Sequence, residues 1–218
     1  MKNFIVGLAA TAALALTSAP ASATLIDFTK EANVNGERGV ADGTEFSSVY
    51  FGGLTLKFSA GVGGAGSDFA YFAARGPGDR KPGLGTCTTL NRAQQCRTYR
   101  DDNVAPNEFV RVDFVDGPFD VVRMSFNGQE NNANVNLDNS SGLIKITTSL
   151  AGVVSMYTMT FAQAVDYGFG LVDWIQFDYV DTEFLVAQIS DVPVPGALPL
   201  LLSGLAGLGF AARRRKAA

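Results

Sequence analysis

The residues best suited to chemistry in this chain form a short acidic cluster near its middle. Asp101, Asp102 and Asn103 are consecutive, and Glu108 follows a few residues later. Carboxylate and amide oxygens are the ligands that calcium prefers, and calcium sites often gather them on one loop. The spacing does not match an EF-hand loop, and an acidic turn facing water has the same composition. The cluster is therefore a candidate Ca²⁺ site, with a solvated turn as the alternative.

The only two cysteines of the chain lie just before this cluster. In an exported protein a pair such as Cys87 and Cys96 favours a disulfide, with two free thiols as the alternative. Zinc is poorly served, because the chain has no further cysteine and no histidine. The lack of histidine also excludes a Ser-His-Asp triad and a Cys-His pair. An enzyme with this composition would depend on carboxylates, tyrosine or lysine.

Aromatic side chains are plentiful and suggest a binding surface for sugars. Carbohydrate-binding β-sandwiches stack sugar rings on exposed aromatic rings, and the candidates here are Tyr50, Tyr71, Tyr99 and Trp174. Burial in the core is the alternative, above all for Trp174, because aromatic residues in strands are usually buried. Tyr99, close to Cys96 and the acidic cluster, is expected to be the most exposed of the four.

Carboxylate pairs raise one enzymatic alternative. Two carboxyl groups at a suitable separation can hydrolyse a glycosidic bond, and Asp102 with Glu108 would be the pair to test. The sequence does not fix their separation, and the acidic residues are scattered through predicted turns. A non-enzymatic protein is the leading prediction, and a carboxylate-based glycan hydrolase is an alternative to it.

The middle of the chain has the alternation of apolar and polar residues that is typical of β-strands. The predicted strands cover residues 55–58, 110–114, 122–126, 143–148, 156–161, 174–179 and 184–189. Residues 61–81, apart from a short strand at 69–72, and residues 127–139 are predicted loops, and residues 138–142 a hairpin connection. Many short strands at this spacing predict an all-β fold, an antiparallel, jelly-roll-like β-sandwich.

The N-terminus has the three parts of a signal peptide. Lys2 supplies the positive charge, residues 4–16 are apolar, and Ala21-Ser22-Ala23 fits the rule for small residues at the cleavage site. Cleavage is predicted between Ala23 and Thr24, which makes residues 1–23 the signal peptide and residues 24–191 the mature domain. The expected partners are the Sec-type export machinery and a signal peptidase.

The C-terminus, residues 192–218, also has three parts. The motif Val192-Pro193-Val194-Pro195 precedes an uncharged apolar segment over residues 196–212, and the basic run Arg213-Arg214-Arg215-Lys216 follows. As a helix the apolar segment would be about 25 Å long, near the short end for a bilayer span. Arginines on one side hold a C-terminus in the cytoplasm. The pattern predicts a transmembrane helix, with a buried helix as the alternative.

This tail resembles the PEP-CTERM sorting signal of Gram-negative bacteria, and most closely its VPLPA variant. In that family an exosortase recognises the motif and processes the tail, so the resemblance implies an exosortase as a partner. Val194 stands where the founding motif has glutamate and the variant usually has leucine. The implied route is export through the inner membrane, transient anchoring there by the tail, and a final location at the cell surface or outside the cell.

A second resemblance concerns the cysteine-bounded segment. Residues 83–87 (G-L-G-T-C), Cys96, residues 101–103 (D-D-N) and Glu108 are similar to a group of exported PEP-CTERM proteins that share these features. This resemblance implies a secreted β-sandwich. It also strengthens the calcium hypothesis, because an acidic cluster that accompanies a cysteine-bounded loop suggests a built site.

The charge distribution bears on the partner of the mature domain. All 21 acidic residues fall within residues 24–191, whereas Lys2 and the four basic residues of the tail fall outside, so the domain is more acidic than the whole chain at −4. Binding of nucleic acid needs a basic face and is excluded. The sequence predicts an exported surface or matrix protein that binds exopolysaccharide, with a purely structural matrix protein as the first alternative.

Overall fold

Antiparallel strands make up most of the chain that the computed structural model describes, which is residues 23–63, 65–66, 68–74, 81–97, 102–130 and 133–191. The strands in its first half are β1 (Leu25–Asp27), β2 (Arg38–Ala41), β3 (Thr44–Ser47), β4 (Thr55–Val62), β5 (Ala65–Gly66), β6 (Phe69–Ala73), β7 (Gly83–Cys87) and β8 (Glu108–Phe114). Those in its second half are β9 (Phe119–Val121), β10 (Arg123–Glu130), β11 (Ala133–Asn136), β12 (Leu143–Leu150), β13 (Val153–Thr160), β14 (Gly170–Val172), β15 (Trp174–Tyr179) and β16 (Phe184–Ser190). The helices are α1 (Phe28–Asn35), α2 (Phe161–Val165) and a 3₁₀ turn over Val49–Phe51.

The strands form two seven-stranded sheets and one small ribbon. Sheet A has the order β11-β10-β16-β7-β6-β2, with β1 paired to β16. Sheet B has the order β13-β12-β15-β8-β4-β3, with β5 paired to β4, and β14 pairs with β9. The chain crosses between the two sheets from β7 to β8 and again from β15 to β16. These two connections lie side by side, because β16 pairs with β7 and β15 with β8. The predicted all-β antiparallel fold is confirmed, and its assignment as a jelly roll stays a prediction.

An aromatic-rich core lies between the two sheets. Phe58 of sheet B and Phe72 of sheet A have ring centroids 5.5 Å apart, and Phe126 and Phe177 make a similar contact at 6.0 Å. All four side chains are fully buried. They reach the same layer because alternate residues of each strand point to the same side of its sheet. Burial of such rings is the main favourable contribution to folding.

A buried charge anchors helix α1 at one end of this core. The N-cap of the helix is Asp27, whose side chain accepts a hydrogen bond from the amide of Lys30 at 3.0 Å. Glu31, within the helix, has no exposed surface. Its carboxylate contacts Arg38 and accepts hydrogen bonds from the Ser48 hydroxyl and, at 2.9 Å, from Asn35 Nδ2. These contacts tie α1 to β2 and to the 3₁₀ turn.

The loop predicted at residues 127–139 and the hairpin predicted at residues 138–142 are not found. Residues 127–139 contain the end of β10 and all of β11, and residues 138–142 join sheet A to sheet B instead of turning a hairpin. Polar side chains at two positions of this segment have hydrogen-bond partners within the protein. Asn127 Nδ2 of β10 donates to the carbonyl of Pro82 at 2.7 Å, and Asp138, just after β11, accepts from the amide of Phe126 at 2.7 Å. The short strand predicted at 69–72 corresponds to β6.

The first and last described strands lie side by side. Leu25 of β1 is paired with Ser190 of β16, and the Asp191 amide donates to the Thr24 carbonyl at 3.2 Å. Over the described ranges, no helix has the length and apolar character needed to cross a membrane. The apolar part of the predicted signal peptide, the motif at 192–195, the predicted transmembrane helix at 196–212 and the basic run at 213–216 lie outside the described residues.

Candidate functional site

The cysteine-bounded loop folds over the outer face of sheet A. Strand β7 ends at Cys87, which forms a disulfide with Cys96 as the sequence predicts. Leu90 on this loop and Cys96 pack against a small apolar cluster formed by Tyr71, Ala73, Cys87 and Leu185, which is separate from the main core. The loop is also fixed by its backbone, since the Gly39 amide of β2 donates to the Gln94 carbonyl at 2.9 Å. This face of sheet A is therefore covered by the chain itself.

Glu108 lies at the start of β8 and is only 7% exposed. Its Oε2 atom accepts hydrogen bonds from the Thr86 hydroxyl at 2.6 Å and from the Ala105 amide at 2.8 Å. The Thr86 hydroxyl is also 2.8 Å from the Asn103 carbonyl oxygen. These contacts hold the segment that precedes β8 against β7, so this carboxylate organises the loop.

Asp102 and Asn103, the neighbours of Glu108 in the predicted calcium site, are 4% and 8% exposed. A Cβ atom added to Gly85 of β7 would lie 2.2 Å from the Asp102 carbonyl oxygen, so only glycine allows this close approach. Asn103 Nδ2 lies 3.5 Å from Glu183 Oε2. The structure thus brings Asn103 and Glu108 together around Thr86. Asp101 and Tyr99 lie outside the described residues.

No group of three or more acidic, cysteine or histidine side chains in the described residues is placed to hold a metal ion. Because Asp101 is outside that part of the chain, this finding does not test the four-residue calcium site. Calcium binding by Asp101, Asp102, Asn103 and Glu108 stays a prediction.

Tyr71 is buried, which corrects its selection as a sugar-stacking residue. Its side chain is 2% exposed, and its hydroxyl donates to Glu37 Oε2 at 3.3 Å. Burial raises the pKa of Tyr71 to about 12, and the nearby carboxylates of Glu37 and Asp102 add to the increase. The ring packs beneath the cysteine-bounded loop and stabilises it. Tyr50 is half-buried and packs against the main core.

Trp174, the single tryptophan, lies on the outer face of sheet B and is partly exposed. This corrects the expectation that it is a core residue. Its neighbours Ile175 and Phe177 alternate with it and Gln176, and they are fully buried on the opposite, inner side. The guanidinium of Arg111 lies 3.9 Å from the centroid of the Trp174 ring, a favourable cation–π contact.

Charged and polar side chains lie beside the Trp174 ring at paired positions of β8 and β15. Arg111 is paired with Gln176 across β8 and β15, and Asp113 lies opposite Trp174. Arg111 holds Asp113 through Nε at 3.0 Å and through a second contact from its terminal nitrogen. The two arms of the guanidinium fix the carboxylate beside the indole. We use the name Trp174 face for Trp174, Arg111, Asp113, Gln176, Asp178 and Lys145.

The Trp174 face continues toward β12. Gln176 Nε2 donates to both oxygens of Asp178 at 3.1 and 3.2 Å, and Lys145 Nζ lies 3.3 Å from Asp178 Oδ1. Positive and negative groups on this face are therefore paired. The arrangement offers an aromatic ring next to hydrogen-bond donors and acceptors without a strong net charge. Such a combination suits a ligand that has an apolar side and many hydroxyl groups.

Sequence reasoning singled out Trp174 but missed Arg111, Asp113, Gln176 and Asp178. The signal was present in the strand 174–179, where tryptophan, glutamine and aspartate alternate with isoleucine, phenylalanine and tyrosine. That alternation places the ring on the polar side of the strand. The neighbours on β8 could not be found in this way, because strand pairing and register between distant segments are set by the whole sheet.

Comparison with known proteins concerns the C-terminal segment. Residues 191–216 match the family model of the PEP-CTERM protein-sorting motif, which confirms the resemblance seen in the sequence. The chain therefore has the sorting signal of an exported protein that an exosortase processes. Its assignment to the VPLPA variant stays a prediction. No curated protein and no solved structure matches the chain.

Proposed function

We propose that this protein is exported, released from its tail by an exosortase, and acts at the cell surface or in the extracellular matrix as a non-catalytic binder of exopolysaccharide. The sorting motif at residues 191–216 supports export and processing. The Trp174 face supports the binding function. It is the observation that carries this proposal, because it combines a partly exposed ring with oriented polar groups on the outer face of sheet B.

The paired charges of the Trp174 face favour a neutral polysaccharide. Arg111 is balanced by Asp113, and Lys145 by Asp178. A strongly anionic polymer would need an excess of basic groups, and the chain as a whole has a net charge of −4. A neutral sugar can pack against the exposed part of the indole beside the Arg111 guanidinium. Its hydroxyl groups can then donate to the Gln176 carbonyl oxygen and to the remaining lone pairs of the two carboxylates.

The burial of Asp102 and Glu108 supports a non-catalytic function. They are 4% and 7% exposed, and one oxygen of Glu108 already accepts two hydrogen bonds from the protein. A pair of hydrolytic carboxyl groups must flank the scissile bond on both sides. Hydrolysis of the bound polymer would contradict this part of the proposal, and it is measured as release of reducing ends.

Binding is tested with the full chain and the neutral polysaccharide fraction from cells that produce the protein. Trp174→Ala is expected to weaken binding at least about tenfold, as expected for a central aromatic contact. Trp174→Phe retains a ring and should recover part of the affinity. The matched control is Tyr167→Ala, since Tyr167 is 50% exposed but packs with Tyr157 and Phe169, away from the Trp174 face.

The result that contradicts the binding proposal is equal affinity of the parent and Trp174→Ala, with both chains showing the same thermal midpoint. Equal losses in Trp174→Ala and Tyr167→Ala would also contradict it, because they would place the polymer away from the Trp174 face. In either case the purely structural matrix protein becomes the better account of this chain.

A further inference from the structure

Strand β13 forms the outer edge of sheet B. It pairs with β12 along its full length, from Val153 opposite Leu150 to Thr160 opposite Leu143, and no strand in the described ranges pairs with its other side. A free strand edge presents a row of backbone donors and acceptors that another strand can bind.

The turn before β13 fixes the phase of its hydrogen bonds. Ala151 and Gly152 have φ values of 50° and 80°, as in a type I′ turn, where the flanking residues Leu150 and Val153 form a hydrogen-bonded pair. The next residue of β12 agrees with this phase, because the Ser149 carbonyl points away from β13 and accepts from the Asp173 amide at 2.6 Å. Alternate residues of β13 therefore direct their N–H and C=O groups outward.

The outward-directed residues are Val154, Met156 and Thr158, and their side chains are exposed on the outer face of sheet B. Val154 is 54% exposed and Met156 is 72% exposed. Val153, next to the turn, is 70% exposed. The eight residues of β13 include no charge and no proline, the two features that most often keep an edge strand from pairing. This edge is therefore built to accept a strand.

We propose that the partner is a second copy of this chain, whose β13 pairs antiparallel with the first about a two-fold axis at Met156. In that register Met156 meets Met156 of the second copy, and Val154 meets Thr158 in both directions. Every contact along β13 then joins uncharged residues, although the chain as a whole is acidic. The arrangement is isologous and closed, which is the commonest symmetry of homo-oligomers.

Features of both edge strands of sheet B, β13 and β3, favour this closed pairing. The row of outward backbone groups on β13 ends at Thr160, because the Thr160 amide donates to Gln163 Oε1 at 3.0 Å in the capping box of α2. The opposite edge of sheet B is β3, which has only four residues and includes the exposed Glu45. Pairing of β13 with β3 of another copy would make an open filament over a shorter, charged strand.

The register is tested by a cysteine at the two-fold position. Both natural cysteines are joined to each other, so Met156→Cys introduces a single free thiol into the full chain. Directly paired residues lie about 5.5 Å apart between Cα atoms, which suits a disulfide. Met156→Cys in detergent solution should therefore form a covalent dimer rapidly under mild oxidation. The control is Val49→Cys, since Val49 is 84% exposed and lies on the 3₁₀ turn.

Sedimentation of the same full chain tests the contact without a cross-link. By mass action the parent should shift from monomer to dimer over roughly a hundredfold range of concentration, centred on its dissociation constant. Met156→Lys places two like charges together on the axis and should remain monomeric at concentrations where the parent is a dimer. Val49→Lys should behave as the parent does.

Four results would overturn the proposal. The first is cross-linking of Val49→Cys as fast as Met156→Cys, and the second is a parent chain that stays monomeric at every concentration. The third is a Met156→Lys chain that dimerises like the parent, which would assign association to the tail or to another surface. The fourth is formation of open-ended oligomers instead of dimers, which would indicate pairing of β13 with β3.

Discussion

Glu31 is the most completely buried charged side chain in the described part of the chain, with no exposed surface. Its partner Arg38 is one-third exposed and also lies over the ring of Phe46 at 4.3 Å. Removing one member of a buried ion pair leaves the other charge without compensation, which costs far more than the pair contributes. Glu31 therefore matters for stability through its contacts with Arg38, Ser48 and Asn35.

Glu31→Ala is expected to lower the free energy of unfolding by about 3 kcal/mol, since it leaves Arg38 without its buried partner. Urea unfolding of the full chain in detergent measures the change. Glu45→Ala is the control, because Glu45 is exposed on β3 and should change stability by less than about 0.5 kcal/mol. A loss in Glu31→Ala no larger than that of the control would show that the network has no role in stability.

The raised pKa of Tyr71 predicts a loss of stability at high pH. Burial raises its pKa in the folded protein to about 12 from an ordinary value of 10.0, so the unfolded chain loses the proton first as pH rises. The stabilisation is complete below about pH 10 and falls by on the order of 2 kcal/mol as pH rises to about 12.

The measurement for Tyr71 is the thermal midpoint of the parent and of Tyr71→Phe between pH 9 and pH 12. Tyr71→Phe has no ionisable hydroxyl there and should lose less stability over this range than the parent does. Parallel pH profiles for the two chains would contradict the assignment of this effect to Tyr71.

At the level of elements, the disulfide and the cysteine-bounded loop act together. Cys87–Cys96 closes a short loop, and Leu90 on that loop covers the small apolar cluster on sheet A. In the chain-entropy model such a loop stabilises the folded state by about 2–3 kcal/mol. Replacing both cysteines by serine should therefore lower stability by that amount and increase amide exchange in β6 and β7. Unchanged exchange in these strands would contradict the coupling of the loop to sheet A.

The sequence predicted strands wherever apolar and polar residues alternate, as in β8 and β15. It missed β7 because G-L-G-T-C does not have that pattern, and the reason is now visible in Gly85. Strand β7 needs glycine there because the Asp102 backbone lies directly against it, and a long-range contact of this kind leaves no periodic signal. Strand β11 was missed for a different reason: it is only four residues long, A-N-V-N, and lies among asparagines, so its existence depends on pairing with β10.

The candidate site was predictable only in part, for a similar reason. Composition and position identified the cysteine pair, and the aromatic residues were a short list that included Trp174. Which of them faces solvent depends on the side of the strand and on what covers it. Tyr71 is covered by the cysteine-bounded loop, whereas Trp174 lies on the outer face of sheet B. The cover over Tyr71 does not follow from local sequence, whereas the alternation within residues 174–179 does place Trp174 on the polar side of its strand.

At the scale of the whole molecule, the two ends of the predicted mature domain meet. The Thr24 amide lies 2.5 Å from Asp191 Oδ1. Thr24 directly follows the predicted signal cleavage site, and Asp191 is the first residue of the segment that matches the sorting motif. Cleavage before Thr24 would turn this amide into a charged α-amino group, and the contact would become an ion pair. The maturation of one terminus would then fix the strand that leads to the other.

Asp191→Asn is expected to lower the stability of a chain that begins at Thr24 by about 1 kcal/mol, the upper range for an ion pair near the surface. The same substitution should have a smaller effect when the Thr24 amino group is acetylated. Denaturant unfolding at low and high salt measures both values. Equal effects in the free and acetylated chains would show that no ion pair forms.

The proposed function depends most directly on release of the β-sandwich from its tail by an exosortase after export. Intact-mass spectrometry of the protein from the cell surface and medium tests it, with exosortase-positive and exosortase-deficient cells compared. We predict a chain that begins at Thr24 and lacks residues 196–218 in the first case, and a membrane-held chain that retains them in the second. A surface protein that keeps its C-terminus through Ala218 in both strains would show that an exosortase does not release it.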